Sequence, residues 1–292
     1  MKTIAVLTDF SERSLHAAHY ALLIAQKIRA NVLLYNSFEV PDFAMAGHHS
    51  INSDYGKIKN HSKTKLRDLC HELRMYIKES QGSQSFLPII DFQCEEGVVA
   101  NAVAELEENK DIILMVIGTH GTNNEQAFLM GNNCLQIIDA ANTPLLIVPE
   151  NTQLKNIEKI VLATDTPMAD IDYIKWTSNL AKPFFAEVSV INILDATATL
   201  VNNNAEEDIF KKTITEDVAN LNIDYNVITG FNTQQGFDWL MNNVNFDIMA
   251  MIHRKSNQYD YFLKASVTKN MANITDVPLL VFPYPIEKLA VI

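Results

Sequence analysis

"IAVLTD", residues 4–9, returns as "IVLATD" at residues 160–165, keeping Ile, Thr and Asp. "PLLIVP" (144–149) returns as "PLLVFP" (278–283), with four of six residues identical. Strands that open and close both halves of a chain in the same way mark two copies of one unit. What lies between them fixes its class. In the first copy, apolar runs at 3–8, 31–38, 86–93, 112–117 and 144–149 alternate with helical patterns from residue 12, at 56–79, 97–109 and 129–141. In the first helix Leu15, Ala18, Leu22 and Ala25 form one apolar stripe, with Ser11 as its N-cap. The runs are continuously apolar rather than alternating, which predicts parallel strands covered by helices on both faces. The second copy restarts with Thr166-Pro167 as a cap and a first helical residue, and "FDIMAMI" (246–252) replays the fourth strand. The expected fold class is therefore α/β, in two tandem domains, 1–150 and 157–292, joined near "ENTQLKNIE" (150–158).

Composition narrows the function classes. A chain of 292 residues with 48% apolar content suits two cores of similar size. The longest strongly apolar runs, such as "IILMVI" (112–117), are strand-length and fall short of the roughly 18–20 residues of a membrane span. The opening "MKTIAVLTDF" breaks its short apolar run with an aspartate where an export signal continues, so the expectation is a cytoplasmic protein without membrane contact. Cys70, Cys94 and Cys134 have neither disulfide-framework nor CxxC spacing and read as buried thiols. Lys and Arg against Asp and Glu number 12 and 18 up to residue 150 and 11 and 17 after it, so each half carries −6 of the total −12. That balance argues against nucleic acid as a partner.

The candidate binding residues lie around "MVIGTHGTNNEQAFLMGNN" (115–133), where an apolar strand runs into Gly118-Thr119-His120-Gly121 and Gly131 opens a helix. Glycines permit positive φ and close backbone approach, so such a loop can turn its N–H groups toward phosphate oxygens. The helix opened by Gly131-Asn132-Asn133 adds free amides and the positive end of a dipole. In a doubly wound sheet the carboxyl ends of the first and fourth strands flank the ligand crevice, so Thr8 and Asp9 would face this loop. The bland readings stay beside these: a plain turn for the glycines, a helix cap for Asp9, a capping role for Asn132 and a solvated loop residue for His120.

Together, the strand ending in Thr8-Asp9, the Gly-Thr-His-Gly loop, the glycine opening the next helix and the closing "PLLIVP" strand resemble the universal stress protein family, here as a tandem two-domain member. The resemblance covers essentially the whole chain. It implies five-stranded parallel sheets ordered 3-2-1-4-5, of the adenine-nucleotide alpha-hydrolase-like kind. It also implies a Gly-x2-Gly-x9-Gly-(Ser/Thr) nucleotide loop, met here by Gly118, Gly121 and Gly131 with Asn132 in the Ser/Thr place. By the same resemblance Asp9 would accept from a ribose hydroxyl or the adenine amine, and Asn36 would lie against the adenine, where an apolar residue is more common. Family members pair through the closing strand, which implies an internal pseudo-dimer of the two halves, while a further homodimer stays open.

The second copy departs from the pattern. With the offset 278 − 144 = 134, Gly118 falls on Ile252, Gly121 on Lys255, Gly131 on Ala265, and Asn132 on Ser266. All three glycines are lost, so this copy reads as degenerate, structural or regulatory, with Arg254 and Lys255 as solvated cations. Elsewhere, His48-His49 reads as part of a polar insert without enough partners for a metal. His16 and His19 share a helix face, and Lys57, Lys59, Lys63, Lys65 and Arg67 form a solvated basic stripe. No catalytic residue is assigned, and any ATP hydrolysis is expected to be slow, since no general base or arginine finger is identifiable. The leading expectation is a stress protein that binds ATP or a related adenine nucleotide, with Mg²⁺, in the first domain. The alternative is a non-nucleotide scaffold or small-ligand module.

Overall fold

The computed structural model describes residues 1–39, 51–80, 86–119, 132–164, 168–194, 223–254, 275–285, 289–290 and 292, with positions 210, 212, 268 and 271; for 51–54, 80, 132, 133 and 194 it describes the backbone alone. The first half runs β1 (Thr3–Leu7), α1 (Glu12–Ile28), β2 (Asn31–Phe38), α2 (Ile51–Ser80), β3 (Ile90–Glu96), α3 (Val99–Glu108), β4 (Ile112–Thr119), α4 (Asn132–Ala140) and β5 (Leu145–Pro149). The second half follows with β6 (Lys159–Thr164), α5 (Ile171–Ala181), a 3-10 turn at Lys182–Phe184, β7 (Glu187–Leu194), β8 (Ile223–Thr229), α6 (Thr233–Asn243), β9 (Ile248–Arg254) and β10 (Leu279–Tyr284).

Among the described residues the strands form one ten-stranded sheet, β3-β2-β1-β4-β5-β10-β9-β6-β7-β8. Each half has the order 3-2-1-4-5 within it, and every pair inside a half is parallel. The halves meet at the antiparallel pair β5–β10, where Leu280 lies opposite Leu146, Leu279 opposite Ile147 and Val281 opposite Leu145. The repeat offset makes Leu146 and Leu280 equivalent (280 − 146 = 134), so the seam is two-fold symmetric about these two leucines. Strand registers carry the same offset: Gly118 pairs with Val148 and Ile252 with Phe282.

Two cores cover the two faces, and both run through the seam. On one face α1, α2 and α5 bury Ile24, Leu66, Leu73, Ile174 and Trp176 over Val6, Leu146, Leu162 and Leu280. On the other, α3, α4 and α6 bury Val103, Leu106, Ile137, Ile138 and Leu240 over Met115, Leu145, Met249 and Val281. α1 begins as expected, with Ser11 at the N-cap and its side chain accepting from the Ser14 N–H.

Three boundaries differ most from the sequence reading: α2, which already begins at Ile51 rather than about 56, β3 and α5. Pairing with β2 starts at Val32 opposite Ile90, so β3 occupies 90–96 rather than 86–93. Pro88 brings no N–H to a ladder, and Leu87 and Ile89 are exposed. In the second half Thr166 and Pro167 lie outside the described residues, and the helix begins at Ile171 with Asp170 at its N-cap.

Candidate functional site

The carboxyl ends of β1 and β4 stand side by side where the strand order reverses, the place where such sheets take ligands. Thr8 follows β1 and is buried: its N–H donates to the Tyr35 carbonyl at 2.9 Å, and its Oγ1 accepts from the Phe10 N–H at 3.0 Å and lies 3.0 Å from Ser14 Oγ. Phe10 follows in the left-handed region, with φ 64°, which bends the chain sharply into α1.

Asp9 sits in that bend. Its Oδ1 accepts from the Ser11 N–H at 3.0 Å and from the Ser11 hydroxyl, and its Oδ2 accepts from Arg13 Nη2 at 3.0 Å. Partial burial pushes its pKa up, but the Ser11 and Arg13 hydrogen bonds outweigh that and bring it down to about 2. The side chain is still 54% exposed, so a charged carboxylate faces solvent at the crevice lip. Ser11 caps α1, so Asp9 fixes the turn that leads into the helix rather than capping it.

Asn36, near the end of β2, is buried directly beneath this bend. Its Nδ2 donates to the Thr8 carbonyl at 2.7 Å and its Oδ1 accepts from Ser62 Oγ at 2.6 Å. The amide ties β1, β2 and α2 together as a polar floor. Ser62, on the buried side of the basic stripe of α2, was not singled out by the sequence, nor were Ser14 and Arg13. The i, i+3 spacing of Ser11 and Ser14 is the signal that was available for one of them.

Gly118 has a packing explanation. A Cβ placed on it would lie 2.3 Å from the Arg13 carbonyl oxygen and 2.6 Å from its carbon. The missing side chain lets the first turn of α1 rest against the end of β4. Thr119 is buried beside it, its carbonyl accepting from the Glu150 N–H at 2.9 Å. The structure therefore brings Thr8, Asp9, Asn36, Gly118 and Thr119 to one end of the sheet. Asn132 and Asn133 open α4, while His120, Gly121 and Gly131 lie outside the described residues, as do His48, His49, Lys255, Ala265 and Ser266.

The second switch point is built differently. Ile252 fills the place of Gly118, and α5 starts three residues later than its counterpart: β1 and β6 are offset by 160 − 4 = 156, which would carry Glu12 to Met168 rather than Ile171. Arg254 is not the solvated cation expected from sequence. Its Nη2 donates to Asp170 Oδ1 at 2.6 Å, Thr164 Oγ1 donates to Asp170 Oδ2 at 2.5 Å, and Asp170 is wholly buried. The guanidinium also lies 4.9 Å from the centre of the Tyr284 ring. Asp170 makes no side-chain cap to its own helix, because its carboxylate is taken by these two donors.

Among the described residues no group of three or more His, Cys, Asp or Glu is placed to hold a metal ion, and no helix is long and apolar enough to cross a membrane.

The sequence profile of the universal stress protein family matches residues 1–149. A universal stress protein of Methanocaldococcus jannaschii is 28% identical over 150 residues, covering 50% of this chain and 81% of that protein. The crystal structure of a universal stress protein from Archaeoglobus fulgidus superposes with a TM-score of 0.72, covering 96% of this chain and 98% of its own at 13% identity. The cytoplasmic domain of a prokaryotic cation chloride cotransporter shares the fold at a TM-score of 0.53, 99% and 98% coverage and 11% identity. At such identities the structural likenesses speak for the fold alone. The profile match across half the chain, on the half that carries the first switch point, settles the membership: the chain belongs to the universal stress protein family.

Proposed function

We propose that the first switch point binds ATP or a related adenine nucleotide, with Mg²⁺, in a cytoplasmic stress-response role. Residues 1–150 are the binding domain, and residues 157–292 are a structural or regulatory domain held to it as an internal pseudo-dimer. The observation that carries this reading is Asp9, a charged, half-exposed carboxylate fixed at the crevice lip by Ser11 and Arg13. Each carboxylate oxygen keeps lone-pair capacity for a ribose hydroxyl or an exocyclic amine. Asn36 supplies the floor, Gly118 draws α1 against β4, and Gly121, Gly131, Asn132 and Asn133 supply backbone amides for the phosphates. No side chain is assigned to hydrolysis.

A second reading has its own observation. Both amide atoms of Asn36 and both oxygens of Asp9 are already bonded within the chain, as expected of a crevice that serves packing or a different small ligand. Native mass spectrometry of gently purified protein separates the two. A co-purifying adenine nucleotide, lost in Asp9→Ala, supports the first reading. A non-nucleotide mass supports the second and overturns the first.

A further inference from the structure

The second switch point holds a buried carboxylate, which is unusual without a strong partner, because an isolated ionised group in a protein interior is very costly. The partner is Arg254, delivered from the end of β9, and it reaches across to Asp170, the N-cap residue of α5. Thr164 closes the other side from the end of β6. These are the three elements whose counterparts in the first half, β4, α1 and β1, meet at the first switch point. A guanidinium on the Tyr284 ring face and a bond to a fully buried carboxylate leave Arg254 little room for another conformation.

We propose that Arg254 is the resident occupant of the second crevice: an intramolecular ligand that fills the switch point, with Asp170 as its receptor. The second half then folds with its crevice permanently occupied by the chain itself. It takes no nucleotide and serves as a fixed buttress for β10 at the seam. The shorter start of α5 follows from this arrangement, since Asp170 is drawn into the crevice and the helix begins behind it. This inference does not depend on what the first crevice binds.

The experiment is a thermal-melting cycle on the full chain with Asp170→Asn, Arg254→Met and the double variant. Arg254→Met strands a buried carboxylate and should lower the melting temperature by roughly 10 °C. Adding Asp170→Asn should recover a good part of that loss, since the stranded charge is gone; independent roles for the two residues make the losses add. Arg254→Ala keeps the test open to a chemical readout. Guanidinium at low millimolar concentration should raise its melting temperature by several degrees while leaving the native chain unchanged, because the ion enters the vacated place beside Asp170. Additive losses in the cycle, or no guanidinium rescue of Arg254→Ala, would overturn the proposal.

Discussion

Leu146 and Leu280 lie directly opposite one another in the antiparallel pair that joins β5 to β10, each fully buried and each the other's equivalent in the repeat. A strand edge left open in either half would expose unpaired backbone groups, and here each half covers the edge of the other.

Replacing both with lysine places two like charges face to face at the centre of the seam. Each unpaired buried ammonium costs roughly 3–5 kcal/mol, so Leu146→Lys with Leu280→Lys should part the halves before either unfolds. Limited proteolysis should then cut within 150–158 at protease levels that leave the native chain intact. An unchanged cleavage pattern and melting curve would place the stabilising contacts elsewhere.

Much of this was legible from the chain. The repeated opening and closing strands and the continuous apolar runs gave two copies of a parallel α/β unit, while the strand order and the pairing through the closing strand came from the family resemblance. Helix starts were less legible. Thr166-Pro167 has the chemistry of a helix start, yet the helix begins at Ile171, since a buried pairing with Arg254 claims Asp170. Long-range ion pairs leave no local pattern. The Asn36–Ser62 bond was hidden for the same reason, as a floor residue and a serine 26 positions apart show no periodicity linking them.

Gly118→Ala tests whether this glycine is a packing requirement. Its Cβ would press on the Arg13 backbone, which belongs to a capped helix and yields little. A loss of about 1–3 kcal/mol is expected from overpacking of this kind, measured by denaturant unfolding. A variant as stable as the native chain would show that α1 can move away freely.

Asp9 predicts a modest acid sensitivity. Its folded pKa is depressed to about 2, so its contribution is complete above the unfolded value near 4 and is lost as pH falls toward about 2. With the side chain half exposed, screening holds the effect to no more than about 1 kcal/mol. Asp9→Asn should remove that amount at neutral pH and make no difference near pH 2. A variant equally destabilised at both pH values would contradict the assignment.

His16 and His19 predict a second pH effect of the same sign at higher pH. Burial lowers both pKa values; Glu150 and the Thr152 backbone act against it at His16, and Glu72 acts against it at His19, where His16 itself adds to the lowering. His19 also stands edge-on to Tyr76 with ring centroids 4.3 Å apart. Neutral imidazoles are favoured in the fold, so stability is complete above about pH 6.5 and falls as the pH drops below it. Melting temperatures between pH 7.5 and 5 should decline in the native chain and decline less in His16→Gln/His19→Gln. Identical slopes would remove the histidines from the account.

On the proposed function, the first switch point, and not the second, receives an adenine nucleotide. Isothermal calorimetry of the purified chain with ATP and Mg²⁺ tests it most directly. One saturable site per chain is expected, weakened at least tenfold by Asp9→Ala and unaffected by Arg254→Met. No saturation up to millimolar nucleotide, or two equal sites per chain, would contradict it.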